Sequence, residues 1–174
     1  MNSPATHEHA SYRVVVGNNT ATTHPVLGSF PAKGCVPLPV TDVGTFQTDN
    51  LGSTAGLVVL GTNTQFLTGT SQTRPEKGDY LCDTNFVLRR IKSVDSDNRI
   101  TLEAKFPSSV VAGTAVKVVR KQYCRQITAS CTGTVAASLN EQSFAVGDKW
   151  FNDGTPISYD VSAASSEISF ELSI

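Results

Sequence analysis

The stretch Glu167-Ile168-Ser169-Phe170-Glu171-Leu172-Ser173-Ile174 decides the fold class. Its apolar residues stand at 168, 170, 172 and 174, with polar residues at every position between. Successive side chains of a strand point to opposite faces, so this period of two gathers all the apolar groups on one side. Working outward, Arg99 to Lys105 repeats the pattern, with Ile100, Leu102 and Ala104 against Thr101 and Glu103. Asp95-Ser96-Asp97-Asn98 before it reads as a tight polar turn, because Asp and Asn bond their own backbone and tolerate left-handed geometry. Further strands are expected at Leu57–Leu60 between Gly56 and Gly61, at Tyr80-Leu81-Cys82 after Gly78-Asp79, from Phe86 toward Val94, and at Val116–Val119. Val135–Gln142 is the one stretch that suits a short helix, and an alternating strand fits it nearly as well. The chain is predicted to be all-β, a β-sandwich or small barrel.

Composition agrees. In 174 residues there are 18 Ser, 20 Thr and 19 Val, while charged residues make up only 17%. Val and Thr favour pleated, half-buried surfaces, so solubility here rests on hydroxyls. The net charge of -1 argues against a nucleic-acid binder that relies on overall positive charge. No apolar run approaches a membrane span, and residues 1–9 have neither the basic start nor the apolar stretch of a secretory leader.

Residues 1–56 are expected to form a polar tail and an extended arm, because prolines at 25, 31, 37 and 39 interrupt regular ladders. Residues 57–174 then form the β domain. Within it, Gly78-Asp79-Tyr80-Leu81 leading to Ile100-Thr101-Leu102-Glu103 echoes Gly147-Asp148-Lys149-Trp150 leading to Ile168-Ser169-Phe170-Glu171-Leu172. The echo marks either two related hairpin units, 57–121 and 122–174, or the reuse of Gly-Asp as a turn.

Chemistry-bearing patterns are sparse. Cys35, Cys82, Cys124 and Cys131 contain no C-x-x-C pair and read as buried free thiols, although Cys124 and Cys131 are near enough for a local bridge. His7-Glu8-His9 could weakly hold a metal, but lacks further ligands. Asp95-Ser96-Asp97 fails as a calcium loop, with Ile100 where Gly is needed and Phe106 where the bidentate Glu belongs. Neither a nucleophile elbow nor a phosphate loop is present. The chain is therefore not expected to be an enzyme or to carry a cofactor or metal.

Charge is unevenly spread. Arg89 to Arg125 carries +6 and the remainder -7. One reading is a basic patch of Lys117, Arg120, Lys121, Tyr123 and Arg125 for DNA or phosphate. The other is subunits whose basic and acidic faces meet.

Residues 57–121 also resemble a known family. Gly61-Thr62-Asn63-Thr64-Gln65-Phe66-Leu67-Thr68, then Gly78-Asp79-Tyr80-Leu81, then Ile91-Lys92-Ser93-Val94-Asp95-Ser96-Asp97-Asn98-Arg99-Ile100-Thr101-Leu102 resembles a β module recurrent in tailed-bacteriophage virion proteins. The resemblance covers turn and core positions of about 60 residues and implies a scaffold. It implies a non-enzymatic structural protein of the virion, made in the host cytoplasm: capsid decoration or cement, or a neck or tail component. Its partners would be copies of itself, in a trimer or ring, and other virion proteins, with neither membrane nor nucleic acid. The contact residues expected are His7, Tyr12, Val26, Phe30 and Pro31 in the arm, and Arg120, Lys121 and Arg125 in the basic stretch. The alternative is a receptor- or glycan-binding tip domain of a tail fibre, using Tyr80, Trp150, Phe151 and Tyr159 on a concave face.

Overall fold

The computed structural model describes residues 11–17, 21–24, 28–36, 41–48, 56–69, 74–107, 114–120 and 126–173. These residues are all-β and form two packed bodies, a sandwich and a barrel.

The sandwich has two antiparallel sheets. The first has the order β1 (Ser11–Gly17), β16 (Glu167–Ser173), β11 (Gln126–Cys131), β14 (Lys149–Asn152). The second has the order β13 (Gln142–Phe144), β12 (Ala137–Leu139), β15 (Ile157–Asp160), β4 (Lys33–Val36). β16, whose alternation opened the reading, lies between β1 and β11 and buries Ile168, Phe170 and Leu172. Each such side chain contributes about 2 kcal/mol when taken from water. Val14 and Val16 of β1, Ile127 and Ala129 of β11, and Ile157 and Tyr159 of β15 complete much of that core. The short hairpin β2 (Thr22–His24) and β3 (Gly28–Phe30) sends Phe30 into it, 1% exposed.

The barrel is closed, in the order β10 (Thr114–Val119), β5 (Thr41–Thr48), β6 (Val58–Thr62), β9 (Arg99–Leu102), β8 (Leu88–Ser96), β7 (Tyr80–Cys82), with β7 returning to β10. Closure removes the free edges that an open sheet would leave. Val59, Phe66, Leu81, Ile91, Ile100 and Leu102 fill it.

The strands do not divide at residue 56. β1 and β4 lie in the sandwich and β5 lies in the barrel, so the barrel (41–119) is inserted between β4 and β11 of the sandwich. Segment 11–36, expected as an arm, supplies strands because Val14 and Val16 gain a core by pairing with β16. The prolines at 25, 37 and 39 lie outside the described residues, as do residues 1–10.

At the two Gly-Asp sites the structure has one and the same turn. Glu76–Asp79 and Ala145–Asp148 have glycines at φ +93° and +91°, where a Cβ would be strained. Asp79 N donates to Glu76 O at 3.1 Å and Asp148 N to Ala145 O at 3.0 Å. Each Asp carboxylate accepts the first N–H of its turn, from Glu76 at 3.0 Å and Ala145 at 2.9 Å. Each Gly then bulges against its partner strand, Gly78 donating to Ile91 O and Gly147 to Cys131 O. The strands that follow pair differently: β7 with the later β8, β14 with the earlier β11. β15 and β16, which would complete the second hairpin unit, lie in different sheets. The turn chemistry recurs without the hairpin.

Val135–Gln142 is strand β12 followed by a turn at Asn140 and Glu141. Both have positive φ, 49° and 65°, which joins β12 to β13 as a two-residue hairpin.

Candidate interaction surface

Residues 61–68 and the turn between β8 and β9 build one end of the barrel. Asp97, in the turn between β8 and β9, accepts N–H bonds from Leu67 and Thr68, both at 2.8 Å, and the Thr68 hydroxyl at 3.0 Å. Those amides hold its carboxyl below the ordinary range. Thr64 Oγ1 donates to Asp97 O at 2.6 Å and Phe66 N to the same carbonyl at 3.2 Å, which seats the Phe66 ring in the core. The Gly-Thr-x-Thr-x-Phe segment and the Asp-Ser-Asp turn are thus one clasp.

Other carboxylates also serve the backbone. Asp83 accepts N–H bonds from Asn85 and Val87, and burial raises its carboxyl despite them. Asp160 accepts from Ser162 and meets Lys33 Nζ at 3.3 Å; burial opposes ionisation there, but these partners outweigh it and lower the carboxyl. Asp95 accepts from Ser93 and Thr101.

The basic stretch is likewise engaged within the chain. Arg89 reaches from β8 to Glu141 of the sandwich at 2.8 Å, while Arg90 meets Glu103 at 3.5 Å and Arg99 meets Asp95 at 3.7 Å. Arg120, expected at a contact surface, is instead 9% exposed. Its Nε donates to Asp79 Oδ2 at 3.1 Å, and its Nη2 to Arg74 O. A buried guanidinium needs such partners, which fixes it inside the fold. Lys117 is exposed, and Lys121, Tyr123 and Arg125 lie outside the described residues.

The arm residues separate similarly. Phe30 is a core residue of the sandwich. Pro31 is exposed, but its carbonyl accepts the Tyr159 hydroxyl at 2.8 Å. Tyr12 is half-buried on β1, opposite Leu172. His7 and Val26 lie outside the described residues, as does His9 of the suggested metal pair. Among the described residues no group of three or more His, Cys, Asp or Glu could hold a metal, and no helix is long and apolar enough to cross a membrane.

The aromatic set expected on one concave face is dispersed. Tyr159 is 2% exposed and packs against Phe170 at a ring distance of 5.1 Å. Tyr80 packs at the junction of the two bodies. Trp150 and Phe151 are adjacent on β14 and therefore project to opposite faces of its sheet. Two hollows occur. One, of about 180 Å³, lies at the junction and is lined by Lys33, Phe86, Glu141, Tyr159 and Asp160 among others. The other, of about 310 Å³, is a shallow depression on the outer face of the first sheet, lined by residues including Arg13, Thr128, Ser130, Lys149 and Glu171.

β14 stands out. Among the described residues it pairs only with β11, leaving its other edge unpaired. On it Trp150 is 40% and Phe151 66% exposed, and Val146 in the preceding turn is 51% exposed. The sequence signal was present, two adjacent aromatics after a Gly-Asp turn, but nothing in it told an edge strand from a central one. The chain matches no family model, no curated protein and no solved structure.

Proposed function

We propose that this chain is a non-enzymatic structural protein of a phage-like particle, acting through protein–protein contacts as a decoration, neck or tail component. The observation that carries this reading is edge strand β14, where two large aromatic side chains are exposed beside backbone that has no strand partner among the described residues. A soluble sheet ordinarily protects such an edge, and apolar exposure beside it favours strand addition by a neighbour. The module resemblance supports the same reading, since its turn residues go into a closed, rigid barrel. The carboxylates and arginines described above are spent on turns and internal pairs, which suits a scaffold.

The reading is tested on gradient-purified particles produced from the genome that encodes the chain. The protein is expected in them at a fixed ratio to the shell or tail proteins, and particles lacking it should be less stable or incomplete. Its absence from intact, infectious particles would overturn the proposal.

A further inference from the structure

We infer that β14 pairs with β14 of a second copy of this chain, antiparallel, about a two-fold axis at Trp150. This inference names the partner for the assembly role proposed above and rests on that reading.

The register follows from the ladder. Gly147 donates to Cys131 O and Cys131 donates to Asp148 O, so Asp148 faces β11 as a hydrogen-bonding residue. Hydrogen-bonding alternates along an antiparallel pair, so Lys149 opposite Ser130 faces away, Trp150 opposite Ala129 faces β11, and Phe151 opposite Thr128 faces away. The free edge therefore offers the N–H and C=O groups of Lys149 and Phe151.

Only one register between two copies uses both residues within the strand. Placing Trp150 opposite Trp150 of the second copy sets Lys149 opposite Phe151 twice, each pair exchanging both of its N–H···O bonds. Shifting by one residue opposes outward-facing groups with groups already bonded to β11. Shifting by two draws in Gly147, whose N–H is committed to Cys131, or Asp153, beyond the strand.

The side chains agree with this register. Trp150 meets its own copy at the narrow, non-hydrogen-bonded position, where opposite side chains come closest. On the other face Lys149 lies across from Phe151 of the second copy, a cation beside an exposed ring. Such a patch is smaller than a stable interface of roughly 1,200 Å² or more, so the isolated pair should be weak, with a Kd on the order of 0.1 mM. Repetition in an assembly multiplies contacts of this strength.

Sedimentation velocity of the full chain over rising concentration, with amide exchange at each point, tests the pairing. The expected result is a weak dimer in which the Lys149 and Phe151 amides slow with concentration while those of Trp150 and Asn152 do not change. Phe151→Pro deletes an outward N–H without touching the β11 ladder and should weaken association at least tenfold, whereas Phe151→Thr keeps that N–H and should weaken it less. A strict monomer, or a dimer that leaves the Lys149 and Phe151 amides unchanged, would overturn the inference. A monomer still found in purified particles would sink the pairing and leave the structural role standing. A β14 dimer absent from particles would do the reverse.

Discussion

The Sγ atoms of Cys35 and Cys82 lie 3.2 Å apart, and they belong to different bodies: β4 of the sandwich and β7 of the barrel. With Val119 they form a small buried cluster, 0% and 2% exposed, flanked by Tyr80, Phe86 and Leu88. The hydrogen bond to Cys82, and then burial, push the Cys35 thiol far above its ordinary range. Burial does the same to the Tyr159 hydroxyl nearby.

These groups give the junction an alkaline limit. A thiol that keeps its proton in the folded state, while the unfolded chain loses it near 9.0, makes folding less favourable as pH rises above that value. The melting temperature should therefore fall between pH 8 and 10.5, and Cys35→Ala should flatten the fall while costing about 1 kcal/mol at neutral pH. An unchanged slope in the variant would show that the thiol pair does not govern the junction's titration.

The repeated turn separates a hydrogen bond from a buried ion pair. Asp148→Ala removes only the carboxylate that accepts Ala145 N–H and should cost about 1 kcal/mol. Asp79→Ala removes the equivalent bond and also the carboxylate paired with Arg120, whose side chain is only 10% exposed and keeps its bond to the Arg74 carbonyl, and should cost about 3 kcal/mol. Burial outweighs both the Glu76 amide and Arg120 in setting the Asp79 carboxyl, which lies above the usual range. Urea unfolding of the two variants side by side measures the difference; equal losses would mean that the Asp79–Arg120 pair adds nothing to stability beyond the turn hydrogen bond.

The clasp at the barrel end should be sensitive to volume and to acid. A Cβ on Gly61 would run into the Thr64 hydroxyl first, then stand 2.6 Å from Thr64 Cγ2 and 2.9 Å from Phe66 Cζ, so Gly61→Ala must displace the Thr64 side chain of the clasp and the Phe66 ring at a cost of about 2 kcal/mol. Asp97 stays ionised in the folded state below the ordinary value of 3.8, so its contribution is complete above that pH and is lost as pH falls through the lowered value. Protection of the Leu67 and Thr68 amides, measured relative to their intrinsic exchange rates, should fall over that acid range in the native protein. In Asp97→Asn protection should be lower at neutral pH and should not change further with acid.

Glu141 holds a positive φ that favours glycine, and its carboxylate reaches Arg89 of the barrel. Glu141→Gly should relieve about 1 kcal/mol of backbone strain and forfeit a half-exposed ion pair of similar size, leaving thermal stability nearly unchanged. Glu141→Gln keeps the strain and weakens the pair, so it should be the less stable of the two. Thermal melts at low and high salt check this, since only the ion pair is screened.

Much of the local structure was legible from residue order. β7 is Tyr80–Cys82 as expected, β6 and β10 lie where the apolar runs stood, and β16 buries its apolar residues Ile168, Phe170 and Leu172, with Ser169 buried beside them. These signals are local: a period of two and glycines with aspartates at turns act within a few residues. The β12–β13 hairpin was hidden because Glu141 stands where an Asn-Gly turn would carry glycine, and the residue that braces it, Arg89, is 52 positions away. The grouping of strands was equally hidden. Val14 pairs with Phe170 across nearly the whole chain, and the barrel interrupts the sandwich between β4 and β11. Which apolar faces meet depends on where each finds the largest complementary surface, and that is settled only when all strands are present. The same holds for function: the sequence showed Trp150 and Phe151 as adjacent aromatics after a Gly-Asp turn, and only the sheet order put them on an edge strand.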